Sequence, residues 1–187
     1  HCISSAASDV YKRQPNTRPA VDTPEQVEHV RRRAAEACGV RVFPIGAVSM
    51  GERGEILTDA EALKAAGAVA LSDDGMPVQN ANLMRDALIR AHRHGLTVLS
   101  HCEDADMVQN RAVNEGRISR QLRLDGRPAI AEELQVCREA MLAEETGAAV
   151  HICHISTAKS VSIVRRYKKR GVQITCETCP QYFTLTE

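Results

Sequence analysis

Leu71-Ser72-Asp73-Asp74-Gly75-Met76-Pro77-Val78 is a short apolar run that ends abruptly in two carboxylates. Val98-Leu99-Ser100-His101-Cys102-Glu103-Asp104 and Val150-His151-Ile152-Cys153-His154-Ile155-Ser156-Thr157 have the same shape, each closing on an imidazole. The ends of parallel strands lie side by side, so a carboxylate and two imidazoles on three strand ends can converge on one ion. Zinc accepts both ligand types, and a catalytic zinc needs only three or four protein ligands and a water. Three such ends in chain order predict a metal centre.

The chain around them is periodic. Thr23-Pro24-Glu25-Gln26 has an N-cap, a proline at the first helical position and a glutamine placed to close a capping box. That helix should run to about Cys38 and stop at Gly39, before an apolar strand from Val40 to Ile45. Thr58 and Glu61 supply a second capping box for a helix to Ala66, then Gly67 and a strand from Ala68 to Leu71. A third helix covers about Asn82 to His94, followed by Gly95 and the strand Thr97 to Ser100. A charged, partly helical excursion fills Asp104 to Pro128. Ala129 to Thr146 is a long helix, stopped by Gly147 before the strand Ala148 to Cys153. Ser160 to Arg170, Gly171 and Val172 to Cys176 complete the series. Helix, glycine and buried strand in strict alternation predict an α/β fold with a parallel sheet. Polar residues cluster just after each strand, where α/β barrels place their active sites. About five consecutive β/α units fall short of the eight that close a barrel, so the sheet is open or the chain is incomplete.

The 24 Lys and Arg balance the 24 Asp and Glu, a formal charge of zero that removes the electrostatic argument for nucleic acid or an anionic membrane surface. No apolar run approaches the roughly 20 residues of a membrane span, and no secretory signal is present. The seven cysteines are scattered and odd in number, mostly in apolar segments, which fits a reducing cytosol. Cys176 and Cys179 form a CxxC, but without a second pair it is weak as a redox or zinc motif. His1 to Gln14 has no clear period and reads as a non-native or artefactual segment, with nothing in its pattern to match a barrel strand.

At this point the residues resemble a known family. Pro15-Asn16-Thr17-Arg18-Pro19-Ala20-Val21-Asp22-Thr23, the SDDGMPV, SHCED and HICHIST stretches, and Glu177-Thr178-Cys179-Pro180-Gln181-Tyr182 together resemble dihydroorotase of the amidohydrolase superfamily, from Pro15 to Glu187. The resemblance implies a partial (β/α)8 TIM barrel of the metal-dependent hydrolase type over 15–187. It implies reversible cyclisation of N-carbamoyl-L-aspartate to L-dihydroorotate in pyrimidine biosynthesis, in the cytoplasm, with one or two zinc ions. Carried over, Asp74, His101 and His154 resemble the metal ligands, and Asn16 the asparagine that binds the substrate carboxylate. Many relatives bridge two metals with a carboxylated lysine at this strand. None stands between Leu71 and Asp74, which favours an aspartate in that role. The family's His-x-His strand, its substrate-gripping arginine and its catalytic aspartate have no counterpart here, so the chain resembles an internal fragment with no catalytic residue of its own. A small-molecule substrate is implied, with a homo-oligomer or association with other pyrimidine-pathway enzymes. The rival readings are another cyclic amidohydrolase, such as a hydantoinase or allantoinase, and a non-catalytic dihydroorotase-like scaffold domain.

Each site residue has a plainer reading beside the functional one. Asp73-Asp74-Gly75 alone would be an ordinary turn, and only one of the adjacent carboxylates can point inward. The family spacing favours Asp74 and leaves Asp73 to bind backbone or a side chain. His151 and His154, three apart on a strand, face opposite ways. His154 lies at the strand end, beside Ser156-Thr157, which can cap the next helix, while His151 is expected to pack outward against helices. His92 and His94 imitate a His-x-His pair, but on a helix positions two apart diverge. Asn16 could be only a turn or cap residue. Glu103 and Asp104 could orient His101 or cap the next segment.

Overall fold

In the computed structural model, which describes residues 10–37, 39–109 and 111–185, helices alternate with short parallel strands. The chain divides into two compact units at Leu99/Ser100.

The first unit carries β1 (Val10–Arg13), α1 (Pro24–Ala37), β2 (Arg41–Ala47), α2 (Ala60–Ala66), β3 (Ala70–Ser72), α3 (Ala81–Arg93) and most of β4 (Thr97–Ser100). Its strands are parallel and neighbour each other in chain order, with Ile45 opposite Ala70 and Ala70 opposite Thr97. Helix α3 shows why the alternation folds this way. Asn80 caps it by accepting from the backbone N–H of Asn82 and Leu83. Met84, Ala87, Leu88 and Ala91 then form the buried stripe at the helical period. Helix α2 ends on Gly67 at φ 109°, a left-handed position that a β-carbon would strain.

The second unit carries β7 (Val150–Ile152) and β8 (Ile174–Cys176), paired in parallel with His151 opposite Thr175. Helices α6 (Ile130–Thr146) and α7 (Ala158–Lys169) flank them, with α8 (Pro180–Thr184) after β8. Val136, Val150, Ile152 and Ile174 are its fully buried core. The excursion expected between Asp104 and Pro128 contains α4 (Ala105–Val108) and α5 (Arg117–Leu122), and also a parallel ribbon of β5 (Val113–Asn114) and β6 (Gly126–Arg127). Strands of two residues have no period to read. Arg111 donates to the Gly126 carbonyl at 2.8 Å and Arg127 returns a bond to the Arg111 carbonyl at 2.7 Å, so two side chains hold the ribbon together.

Three expectations are corrected. A strand exists within His1 to Gln14: β1 pairs with β2 from Val10 opposite Arg41 to Arg13 opposite Pro44. Backbone pairing needs no side-chain period, which is why the pattern missed it. Residues 1–9 lie outside the described residues. The cap of α2 is Asp59, which accepts from Ala62 N–H at 3.0 Å, whereas the Thr58 hydroxyl is buried and donates to the Ala47 carbonyl. His151 finds its hydrogen-bond partner on the neighbouring strand rather than on a helix: it is half-buried, and its Nδ1 lies 2.7 Å from Thr175 Oγ1. Thr23 caps α1 more loosely, its hydroxyl 3.4 Å from Gln26 N.

Leu88 is fully buried, so Leu88→Ala should lower the unfolding free energy by about 2–5 kcal/mol in urea denaturation. Asp86→Ala on the exposed face of the same helix should change it by less than about 0.5 kcal/mol.

Candidate metal centre

In the first unit the two adjacent carboxylates after β3 diverge. Asp73 is buried, 3% exposed, and binds backbone and a side chain as expected of it, accepting from Val48 N–H at 2.8 Å, Ser49 N–H at 3.1 Å and the Ser49 hydroxyl. It therefore ties the end of β3 to the chain leaving β2. Burial pushes its pKa up to about 6, against the pull of the Ser49 and Val48 hydrogen bonds. Asp74 is half-buried, and its Oδ2 accepts from Asn16 Nδ2 at 3.0 Å. Asn16 is thus positioned by a tertiary contact rather than serving only as a local cap.

Glu52 was not singled out by its sequence context. It is 7% exposed, holds a left-handed φ of 56°, and has a buried Oε1 without a hydrogen-bond partner. Desolvation first, then the charges of Asp73, Asp74 and Asp22, push its pKa up to about 7. The strained backbone and the orphaned oxygen both mark a position held by its surroundings.

In the second unit His101 follows β4 and His154 follows β7. His101 Nδ1 lies 2.9 Å from His154 Nε2, with the rings edge to face at 4.6 Å between centroids. His154 adopts φ 38°, unusual for a residue with a β-carbon, and this turns its ring off the strand end. The loop behind it is fixed by Glu132 of α6, whose carboxylate accepts from the backbone N–H of Ser156 and Thr157 and from the Ser156 hydroxyl. Thr157 then caps α7 through Ser160 N–H at 3.1 Å.

The other face of His101 is governed by Glu103. Its Oε2 lies 3.8 Å from His101 Nε2, while its Oε1 accepts from Arg127 at 3.1 Å. Asp104 has the other role left open by the sequence, capping α4 through Asp106 and Met107 N–H. Cys102 is buried beside this pair, and burial, then the carboxylate of Glu139, hold its thiol well above the usual range. His101, Glu103, Arg127, Glu132, His154 and Tyr182 line one cavity of about 430 Å³. A larger cavity of about 530 Å³ beside α1 is mainly apolar, and of the metal-binding side chains it gathers only His29. His92 and His94, at the end of α3, are brought to no such cluster among the described residues.

The two imidazole nitrogens suit a metal. Two nitrogen ligands about 2.0–2.1 Å from one tetrahedral zinc stand about 3.3 Å apart, a few tenths of an ångström wider than the separation here. Glu103 is the carboxylate nearest the other nitrogen of His101, 3.8 Å away and too far for a direct hydrogen bond in this structure.

The sequence model of the dihydro-orotase-like family matches residues 4–160. The chain belongs to that family. It is 49% identical over 173 residues to a dihydroorotase of Ruminiclostridium cellulolyticum, covering 92% of this chain and 40% of that protein. It is 46% identical over 173 residues to a dihydroorotase of Acetivibrio thermocellus, covering 92% and 41%. The chain therefore spans about two fifths of the length of these relatives. Among solved structures, an L-hydantoinase (dihydropyrimidinase) from Arthrobacter aurescens superposes with a TM-score of 0.79 at 18% identity, covering 97% of this chain and 42% of that one. A likeness at that identity concerns the fold alone, and it agrees with the α/β parallel sheet expected from the alternation and with the partial barrel that the resemblance implies.

Glu52 yields a pH prediction. Its folded pKa lies above the ordinary 4.5, so folding takes up a proton at this carboxyl. The stability it contributes is fully present below about pH 4.5 and is lost as pH rises through about 7. Urea denaturation of Glu52→Gln should show a flatter decline in stability across that interval than wild type. An unchanged profile would place the proton elsewhere.

Proposed function

We propose that the protein to which this chain belongs is a zinc-dependent dihydroorotase, interconverting N-carbamoyl-L-aspartate and L-dihydroorotate in pyrimidine biosynthesis. The observation that carries this reading is the His101–His154 pair, with Glu103 nearby and all three lining a cavity of about 430 Å³. Family membership and the dihydroorotase names of the relatives at 46–49% identity support the same chemistry. The distant fold likeness to hydantoinases does not favour their substrates over this one.

Asp74, His101 and His154 would hold the zinc, the aspartate from the end of β3 and the imidazoles from the ends of β4 and β7. The metal would supply Lewis acidity, bringing the pKa of a bound water toward neutrality. The remaining work falls to the chain. Asn16, tied to Asp74, would bind the substrate carboxylate and set its distance from the ligand carboxylate. Glu103, anchored by Arg127, would hold the His101 ring in one orientation. Glu132 would keep the loop after His154 from relaxing its left-handed turn. Five described cysteines are free thiols, in keeping with a reducing cytoplasm.

The test is turnover and metal content measured together in the complete enzyme. Carbamoyl aspartate should be cyclised, and hydantoin and allantoin left intact. Asp74→Ala or His101→Ala should abolish zinc-dependent turnover, and His92→Ala should leave it near wild type. Full activity in the Asp74 variant, or metal loss in the His92 variant, would overturn the assignment.

A further inference from the structure

A second group of metal-binding side chains lies on β7 and β8, with a composition unlike the first. His151 and Cys153 are two apart on and just beyond β7, so they share one face of the strand pair. Thr175 lies opposite His151 in the register, and continuing that register two residues places Glu177 opposite Cys153. Cys153 is buried at 3% exposure, His151 is half-buried, and Thr175 and Glu177 are exposed, so the group runs from the core to the surface. A nitrogen of His151, the sulfur of Cys153 and a carboxylate oxygen of Glu177 all lie within 4.8 Å of one another.

Two further observations make this more than proximity. The His151 ring is held by its Nδ1, 2.7 Å from Thr175 Oγ1, and its Nε2 faces Glu177 Oε2 at 3.9 Å. A ligating histidine is characteristically fixed in this way, through its other ring nitrogen. The Glu177 backbone is pinned on both sides, its N–H donating to the Ile152 carbonyl at 3.0 Å and its carbonyl accepting from Ile155 N–H at 2.8 Å. The His151 ring and the backbone that carries the Glu177 side chain are therefore held in place.

We propose that His151, Cys153 and Glu177 form a thiolate-containing site for a divalent transition metal, separate from the ligand set of Asp74, His101 and His154. One soft sulfur, one imidazole and one carboxylate select zinc or cobalt over magnesium or calcium, which take oxygen ligands. Binding forms a sulfur–metal bond and releases the Cys153 thiol proton to solvent, leaving a thiolate and a carboxylate to neutralise the dication. The proposal stands independently of the dihydroorotase reading.

The experiment is a titration of the reduced protein with cobalt(II) alone, followed through the near-ultraviolet charge-transfer band that only a sulfur ligand produces. Wild type should show the band, and so should the His101→Ala/His154→Ala double variant, which disables the other centre. Cys153→Ser should lose it. Glu177→Gln and His151→Ala should each weaken cobalt binding about tenfold or more, a loss at least as large as removing a partner outside the ligand shell. The Cys176→Ser/Cys179→Ser variant should keep the band, since Cys176 alternates to the other strand face. Far-ultraviolet circular dichroism checks folding. If Cys153→Ser fails to fold, Glu177→Gln decides, because its side chain is 57% exposed and its loss leaves the core intact. Absence of the band in folded wild type would overturn the site. So would its survival in Cys153→Ser, its loss with Cys176 and Cys179, or unchanged affinity in Glu177→Gln.

Discussion

Parallel pairing in register decides where each strand stops, and with it where each polar tail begins. In the first unit Ala47 stands opposite Ser72 and Ser72 opposite Leu99, so β2, β3 and β4 run out at nearly the same level. Beyond that level the backbone has no ladder partner and must be satisfied otherwise. Asp73 does this for β2 by accepting from Val48 and Ser49 N–H. A buried carboxylate is a costly way to finish a strand, and its pKa near 6 records that cost. In return the adjacent Asp74 is held facing the other way.

The second unit solves the same problem with carboxylates from its helices and loops. Glu132 reaches from α6 to close the Ser156 and Thr157 amides, and Glu103 spans His101 and Arg127. Each ties down a segment beside a histidine, Glu132 the loop after His154 and Glu103 the chain after His101. The β5–β6 ribbon gains its purpose here, since it presents Arg127 to Glu103. Gly126 is needed in that ribbon because a β-carbon would come within 2.3 Å of the Glu115 backbone.

Strained positions fall where the chemistry is concentrated. His154 and Glu52 are two of the three non-glycine residues with positive φ among the described residues. One carries an imidazole of the candidate centre, and the other sits among Asp22, Asp73 and Asp74. Backbone conformations of this kind persist only where the surroundings over-determine them.

The alternation of helix, glycine and apolar strand was legible residue by residue, because helical and strand periods are local properties. The three strand-end motifs were legible too, since an apolar run breaking into Asp or His needs no partner to be noticed. What the sequence left open was direction and partnership. Which groups Asp73 would bind depended on the Val48 and Ser49 amides, some 25 residues away in the chain. The face of His151 depended on Thr175 across the strand pair, and the roles of Glu103 and Asp104 on Arg127 and on the short helix α4. The β1 strand depended on the edge offered by β2. Periodicity records which face of an element is buried. Only the folded chain decides which distant donor or acceptor each polar group at the end of that element will meet.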